Sequence, residues 1–141
     1  MVDDLFNLKG RVSIELNGQI VQEIDNLVVT AGKVFVASRM KDATATAMSH
    51  MAVGTNATAA AVANTALGAE SARVALTSTT PSSATVVYVA TFPAGTGTAA
   101  LTEAGILNAS SGGTMLCRTV FTAINKGSAD AMTVTWTITV S

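Results

Sequence analysis

Charge, aromatic residues and cysteine are all scarce in this chain of 141 residues. Charged residues make up 12% of the chain, against about 25% in a typical globular domain. Eight basic residues nearly balance nine acidic ones, which excludes a domain held to nucleic acid by positive charge. Hydrophobic residues make up 49%, which is too many for a chain that charge keeps disordered. The length fits a single domain over residues 1–141.

Long apolar runs are missing as well. Charged residues such as Glu70, Glu103 and Arg118 interrupt every apolar region, so none reaches the roughly 18 residues of a membrane-spanning helix. The N-terminus carries acidic residues where a secretion signal carries basic ones. Aromatic and basic residues do not alternate, so no stacking platform for single-stranded nucleic acid is predicted. We therefore expect a soluble protein made in the cytoplasm, without a nucleic-acid or membrane partner.

Cys117 and His50 are the only cysteine and the only histidine. One of each forms neither an intrachain disulfide nor the usual zinc site. A catalytic pair built from Ser49-His50 and Cys117 would need groups in hydrogen-bond reach and a third group to orient them. An alternating pattern around Cys117 instead favours a small buried hydrophobe. No catalytic, metal-binding or cofactor-binding residue is predicted, and we expect that the chain is not an enzyme.

The clearest strand pattern lies at the C-terminus. From residue 132 to residue 140, apolar residues alternate with threonines, the period-two pattern of a strand with one buried face. This alternation places Val134, Trp136 and Ile138 in the core. A similar pattern over residues 115–121 places Cys117 and Phe121 there. The threonine side of the C-terminal strand carries no charge, so it can pack against a partner at little desolvation cost.

A β-hairpin and one helix are predicted in the N-terminal third. Asn17-Gly18 separates two alternating runs, and both residues tolerate the positive φ of a type I′ turn. We extend the return strand of this hairpin through residues 27–29. Thr30 is a suitable N-cap for a short helix over residues 31–41. Further strands are predicted over residues 50–53, 73–77, 85–92 and 101–107. About eight strands and one helix predict an antiparallel β-sandwich or jelly roll.

Charged residues also lie within predicted apolar strands. Glu103 and Arg73 each lie within an apolar strand, and Arg118 is a second candidate cation. We expect an ion pair between strands here in preference to a catalytic site.

Residues 1–7 precede the first alternating run and form a candidate N-terminal arm. The arm carries three apolar residues, Val2, Leu5 and Phe6, beside two acidic ones. Chain ends are usually disordered unless something holds them. We expect these apolar residues to contact a neighbouring subunit. The alternative, that the arm covers the open end of its own sandwich, is equally open.

Several segments beyond about residue 20 resemble proteins of tailed-bacteriophage virions. The most specific are LTEAGILN from residue 101, GGTML from residue 112 and the closing WTIT from residue 136. The chain is similar in particular to the small β-sandwich or jelly-roll cement proteins that decorate icosahedral heads. Low charge and a near-zero net charge, which promote association, agree with this resemblance.

The resemblance implies a structural virion protein without catalysis. Such a protein binds the outer surface of the major capsid protein, often as a dimer or trimer, and stabilises the DNA-filled head. The expected location is the outer capsid surface of the virion, after synthesis in the cytoplasm of the host bacterium. Similar segments occur in tail and fibre proteins, so a tail- or fibre-associated receptor-binding module is the alternative.

Overall fold

The computed structural model describes residues 7–42 and 44–141. Within these residues, ten strands and one helix follow one another along the chain. In order they are β1 Leu8–Leu16, β2 Gln19–Asp25, β3 Leu27–Val28, α1 Thr30–Asp42, β4 His50–Gly54, β5 Glu70–Ala75, β6 Ser78–Ser82, β7 Thr85–Phe92, β8 Ala99–Leu107, β9 Met115–Lys126 and β10 Met132–Val140.

The strands form two antiparallel sheets of five strands each. Sheet A has the order β2-β1-β10-β7-β6, and sheet B has the order β3-β9-β8-β4-β5. Apolar side chains from both sheets pack into one main cluster, as expected for two sheets that cover each other's apolar faces. The predicted antiparallel β-sandwich is confirmed, with one helix and with two more strands than the pattern indicated.

The first hairpin ends earlier than predicted. Asn17 and Gly18 form its turn with positive φ, but β2 stops at Asp25, and β3 pairs with β9 in the other sheet. Asn26 marks the crossing: its backbone N–H donates to the Gly10 carbonyl oxygen at 3.1 Å, and a Cβ on Gly10 would overlap its side chain. Apolar residues continue on both sides of this crossing, which is why the return strand looked continuous.

Strand β6 is the element that sequence reasoning missed. Its five residues, STTPS, are all exposed, so no alternation of apolar and polar residues marks it. Pro81 lies within it, and proline is accepted on edge strands because an outward-facing N–H is not needed there. β6 pairs with β7 at the edge of sheet A. Pairing with a neighbour, and not its own hydrophobicity, therefore makes this segment a strand.

Helix α1 contacts sheet B through its first turn. Gly32 is its buried residue, and a Cβ at that position would overlap the Leu116 carbonyl oxygen of β9. The backbone N–H of Thr30 donates to the Val62 carbonyl oxygen at 2.8 Å, so a loop residue supports the N-terminus of the helix. The helix extends one residue beyond the predicted 31–41 at each end, within the usual variation of helix ends.

The five residues assigned to the core from the sequence are buried. The exposed fractions are 0% for Val134, Trp136 and Cys117, 5% for Ile138 and 7% for Phe121, and all five belong to the main cluster. Trp136 is the largest of the fully buried side chains. It pairs with Val12 of β1 and Tyr88 of β7, so the ring is placed where three strands of sheet A meet the opposite sheet.

Replacing Trp136 should be among the most damaging single changes to the fold. Trp136→Ala should lower the free energy of unfolding by about 3–5 kcal/mol, because it removes a large side chain and leaves a cavity. Trp136→Phe should cost less, since the Nε1 atom is buried and has no partner among the described residues. Thr137→Ala, on the outward side of the same strand, is the matched control and should cost less than about 1 kcal/mol. Urea unfolding followed by circular dichroism measures all three, and a Trp136→Ala cost as small as the control's would contradict the packing.

Candidate functional site

Three neighbouring strands of sheet A share an outer face that carries no charge. Val134, Trp136 and Ile138 of β10 point into the core, so the threonines between them point outward. Directly opposed residues of antiparallel strands lie on the same face of a sheet, which extends this face onto β7 and β6. Its members are Thr133, Thr135, Thr137 and Thr139 of β10, Thr85, Val87, Val89 and Thr91 of β7, and Ser78, Thr80 and Ser82 of β6. We call this set the uncharged face.

Some hydroxyl groups of the uncharged face already form hydrogen bonds within it. The Thr91 and Thr133 hydroxyls lie 3.1 Å apart, and the Thr85 hydroxyl donates to the Ser82 carbonyl oxygen at 2.8 Å. Burying a hydroxyl that keeps a hydrogen bond costs far less free energy than burying a charge. A partner can therefore cover this face with a small desolvation penalty, and the threonine methyl groups and the two valines supply apolar contact.

The charged residues of sheet A lie to one side, on β1 and β2. Arg11 contacts Asp25 at 3.0 Å and Glu23 at 3.9 Å, and all three side chains are exposed. Interfaces commonly have a centre depleted in charge and a polar rim. On sheet A, the uncharged face corresponds to such a centre, and the charged strands β1 and β2 border it along one edge.

The size of the uncharged face limits the strength of any single contact. Three strands about 4.8 Å apart, with a rise of about 3.4 Å per residue, give a face of roughly 350 Å². A stable protein–protein interface buries about 800 Å² on each partner. One contact through this face alone is therefore weak, and firm attachment requires either a further surface or several simultaneous contacts.

A buried ion pair joins two strands of sheet B. Glu103 of β8 and Arg118 of β9 approach to 3.1 Å, with side-chain exposures of 0% and 3%. The Glu103 carboxylate also accepts backbone N–H groups of a loop, from Gly68 and Ala69 at 2.8 Å and from Asn56 at 3.0 Å. The structure thus gives Glu103 the second cation considered from the sequence. Arg73, the first, pairs with Glu70 at 2.7 Å in its own strand.

The loop held by this ion pair covers residues 55–69 and joins β4 to β5; we call it the connecting loop. Arg118 reaches it too, donating to the Asn64 side-chain oxygen at 3.2 Å. Loops of this length without secondary structure are uncommon in compact domains. Here one carboxylate and one guanidinium bind residues near both ends of an otherwise irregular segment that is rich in alanine. The hydrogen bonds of this ion pair go to the connecting loop, so the role of the pair is structural.

Breaking this ion pair should cost much more stability than breaking an exposed one. Glu103→Gln leaves the Arg118 guanidinium buried without a counter-charge, which should lower the free energy of unfolding by about 3–5 kcal/mol. Asp25→Asn, which breaks the exposed contact with Arg11, is the matched control and should cost at most about 1 kcal/mol. Amide hydrogen exchange should show lost protection at Gly68 and Ala69 in the first variant only. Equal stability of the two variants would contradict the role given to Glu103.

The catalytic pair considered from the sequence is not assembled between Cys117 and His50. The Ser49 hydroxyl lies 2.8 Å from Nδ1 of His50 at the start of β4. Cys117 lies on β9, and β8 separates the two strands, which puts roughly 9–10 Å between their backbones. Burial raises the pKa of the Cys117 thiol well above its ordinary value. The cysteine packs in the core as a small hydrophobe.

Cys117 should accordingly resist thiol reagents as long as the protein is folded. The thiolate is the reactive form, and a buried thiol with a raised pKa supplies almost none of it. An aromatic disulfide reagent at mildly alkaline pH should therefore react only as fast as the fold opens, whereas the chain in concentrated guanidinium should react at once. Rapid stoichiometric labelling of the folded protein would contradict this burial.

Among residues 7–42 and 44–141, no three His, Cys, Asp or Glu side chains come together as a metal ion would require. No helix in the same residues is long and apolar enough to cross a membrane. Val2, Leu5 and Phe6, the interface residues predicted from the sequence, lie outside the described residues.

Comparisons of the chain with protein-family models, with curated proteins and with solved structures find no match. Among the described residues, the uncharged face is the strongest candidate for a functional surface. Sequence reasoning found its β10 row through the threonine alternation. It missed the β6 row because that segment has no apolar pattern of its own.

Proposed function

We propose that this chain is a structural virion protein that binds the outer surface of a phage capsid lattice and stabilises the DNA-filled head. The uncharged face carries the proposal, because it lacks the charged side chains that usually keep a surface solvated and offers threonine methyl groups and two valines for apolar contact. The resemblance of residues 101–108 and 112–116 to head-decorating cement proteins supports the same assignment. Its partners in this proposal are the major capsid protein and further copies of itself in a dimer or trimer.

The small area of the uncharged face suits attachment to a lattice. A protein that binds the assembled shell and not its free subunits stabilises the shell by mass action. An oligomer that bridges two capsomers makes its second attachment intramolecular, with a high effective concentration. Many weak contacts of a few hundred Å² each then act together.

The chemistry of the uncharged face also predicts how attachment responds to salt. Exposed ion pairs weaken as ionic strength rises because mobile ions screen them. Contacts made by Thr, Val and Ser do not depend on that attraction. Attachment should therefore change little between low and moderate salt.

Capsids with and without the protein test the proposal directly. Heads depleted of it should release DNA at a lower temperature than decorated heads, and adding the purified protein at moderate salt should restore the higher temperature. Thr135→Lys places a charge on the uncharged face and should abolish the restoration. Ser128→Lys, at an exposed position in the β9–β10 turn, adds the same charge elsewhere and should restore fully. DNA release is followed with a fluorescent dye.

Equal release temperatures with and without the protein would overturn the head assignment. Labelled protein found on tails in that experiment would favour the tail-associated module. Equal restoration by the two lysine variants would show that attachment does not use the uncharged face.

A further inference from the structure

The turn between β1 and β2 contains an asparagine followed by a glycine, the one such pair in the chain. Asparagine is chemically labile, and a following glycine favours its deamidation because no side chain hinders attack by the glycine backbone nitrogen. Asn17 and Gly18 are both exposed, and a Cβ on Gly18 would meet no atom within 4 Å. Water therefore reaches the groups that would react.

Asn17 is also the contact between this turn and the β9–β10 turn, residues 127–131. Its backbone N–H donates to the Ala131 carbonyl oxygen at 2.9 Å, and its Oδ1 accepts the Ala131 N–H at 3.0 Å. Its Nδ2 donates to Oδ1 of Asp130 at 2.9 Å. Both polar atoms of the Asn17 side chain thus have a partner in the β9–β10 turn.

Asp130 is a firmly placed partner for the Asn17 amide. Its Oδ2 accepts the Gly127 N–H at 2.7 Å, and its own N–H donates to the Gly127 carbonyl oxygen at 3.1 Å. The hydrogen bond from Asn17, together with that from Gly127, lowers the pKa of Asp130 below its ordinary value, so the carboxyl is ionised at neutral pH. Hydrogen bonds to an ionised acceptor are stronger than those between neutral groups.

We infer that Asn17 is a deamidation site whose reaction is controlled by the contact between the two turns. The Gly18 nitrogen attacks Cγ of Asn17, a C–N bond forms, and the Cγ–Nδ2 bond breaks. The proton of the Gly18 nitrogen leaves with Nδ2 as ammonia. Water then opens the five-membered imide to aspartate or isoaspartate, and it is the one reactant consumed. The inference does not depend on the proposed function.

The contact between the turns opposes this reaction because it holds the atoms that must move. Nδ2 is the leaving group, and the amide has to turn until Cγ faces the Gly18 nitrogen. Both movements break the hydrogen bonds to Asp130 and Ala131. The reaction therefore proceeds through molecules in which the two turns have separated, a local opening that is rarer the more stable the contact is. Chemical modification then removes the opened form irreversibly.

The product of the reaction does not restore the contact. Replacing Nδ2 by oxygen removes the donor to Asp130 and places a second carboxylate beside the first, where like charges repel. Isoaspartate also adds a carbon to the main chain of a turn whose flanking residues, Leu16 and Gln19, are paired. Deamidation should thus release the first hairpin from the β9–β10 turn, and the released form accumulates as the protein ages.

Deamidation rates in the full-length protein test this control. The tryptic peptide of residues 12–33 contains both Asn17 and Asn26, so mass spectrometry with fragmentation compares the two in one sample. At mildly alkaline pH, Asp130→Ala should raise the rate at Asn17 about tenfold, because one hydrogen bond to an ionised acceptor is lost. The chain in concentrated guanidinium should react at least as fast as this variant, and Asn26 should stay unmodified in every sample.

Ser128→Ala, at an exposed position of the same turn, is the matched control and should leave the rate at Asn17 unchanged. Circular dichroism establishes that both variants remain folded, so that a faster reaction reports the local contact. Equal rates in the parent protein and in Asp130→Ala would overturn the control by the turn. An Asn17 that stays intact in guanidinium would overturn the site itself.

Thermal unfolding measures what the modification does to the fold. Asn17→Asp reproduces the aspartate product and should lower the melting temperature by about 3 °C or more. Adding Asp130→Asn exchanges donor and acceptor between the two positions and should recover most of this loss, a comparison that isolates the pair. Asn125→Asp, the same change at an exposed position of β9, is the control. An Asn17→Asp protein as stable as this control would contradict the inferred effect of deamidation.

Discussion

The ion pair between Glu103 and Arg118 is the interaction on which the rest of the fold depends most. Two fully desolvated charges are tolerated only when both are paired and hydrogen-bonded, and here the connecting loop supplies the remaining partners. The close approach also requires Gly54, because a Cβ there would overlap both the Glu103 carboxylate and the Ala69 backbone. A residue at the end of β4, a central strand pair and a loop are thereby joined at one point, so none of them moves without disturbing the others.

Packing of the core also determines which residues form the uncharged face. The strand pairings of sheet B form one wall of the sandwich, and the apolar residues of sheet A pack against that wall. Trp136 and Val134 of β10 are buried there. Because successive side chains of a strand point to opposite faces, the threonines of β10 point outward. Core packing therefore determines which side chains of β10 point outward. The composition of the strand determines that these outward side chains carry no charge. Threonine is suited to both, since it favours strands and carries no charge.

The sequence predicted those elements whose own residues carry the signal. β10, β7 and β8 alternate between apolar and polar residues or are rich in β-branched residues. Asn17-Gly18 marks its turn because both residues tolerate positive φ. These elements can be predicted without knowing which strands pair. β6 depends on pairing with β7, and β3 depends on a change of sheet at Asn26 that no residue period records. The candidate surface divides in the same way. Its β10 row is visible in the threonine alternation, whereas the β6 row exists only once the strand order is known. Likewise, an ion pair for Glu103 was expected, but choosing Arg118 over Arg73 required the register of β8 on β9.

The edges of the sandwich explain why association should use a face and not strand addition. Unpaired edges recruit other strands unless a protein protects them, commonly with short strands, proline, charge or bulges. β3 has two residues, β6 carries Pro81, and β5 begins with Glu70 paired to Arg73. β2 carries Glu23 and Asp25, and its pairing with β1 is irregular near its turn. All four edges are thus discouraged from pairing, while the uncharged face has no such protection. In the proposed assembly, contact through the uncharged face is flat packing of limited area, and packing of that kind becomes firm only where many copies meet an ordered surface.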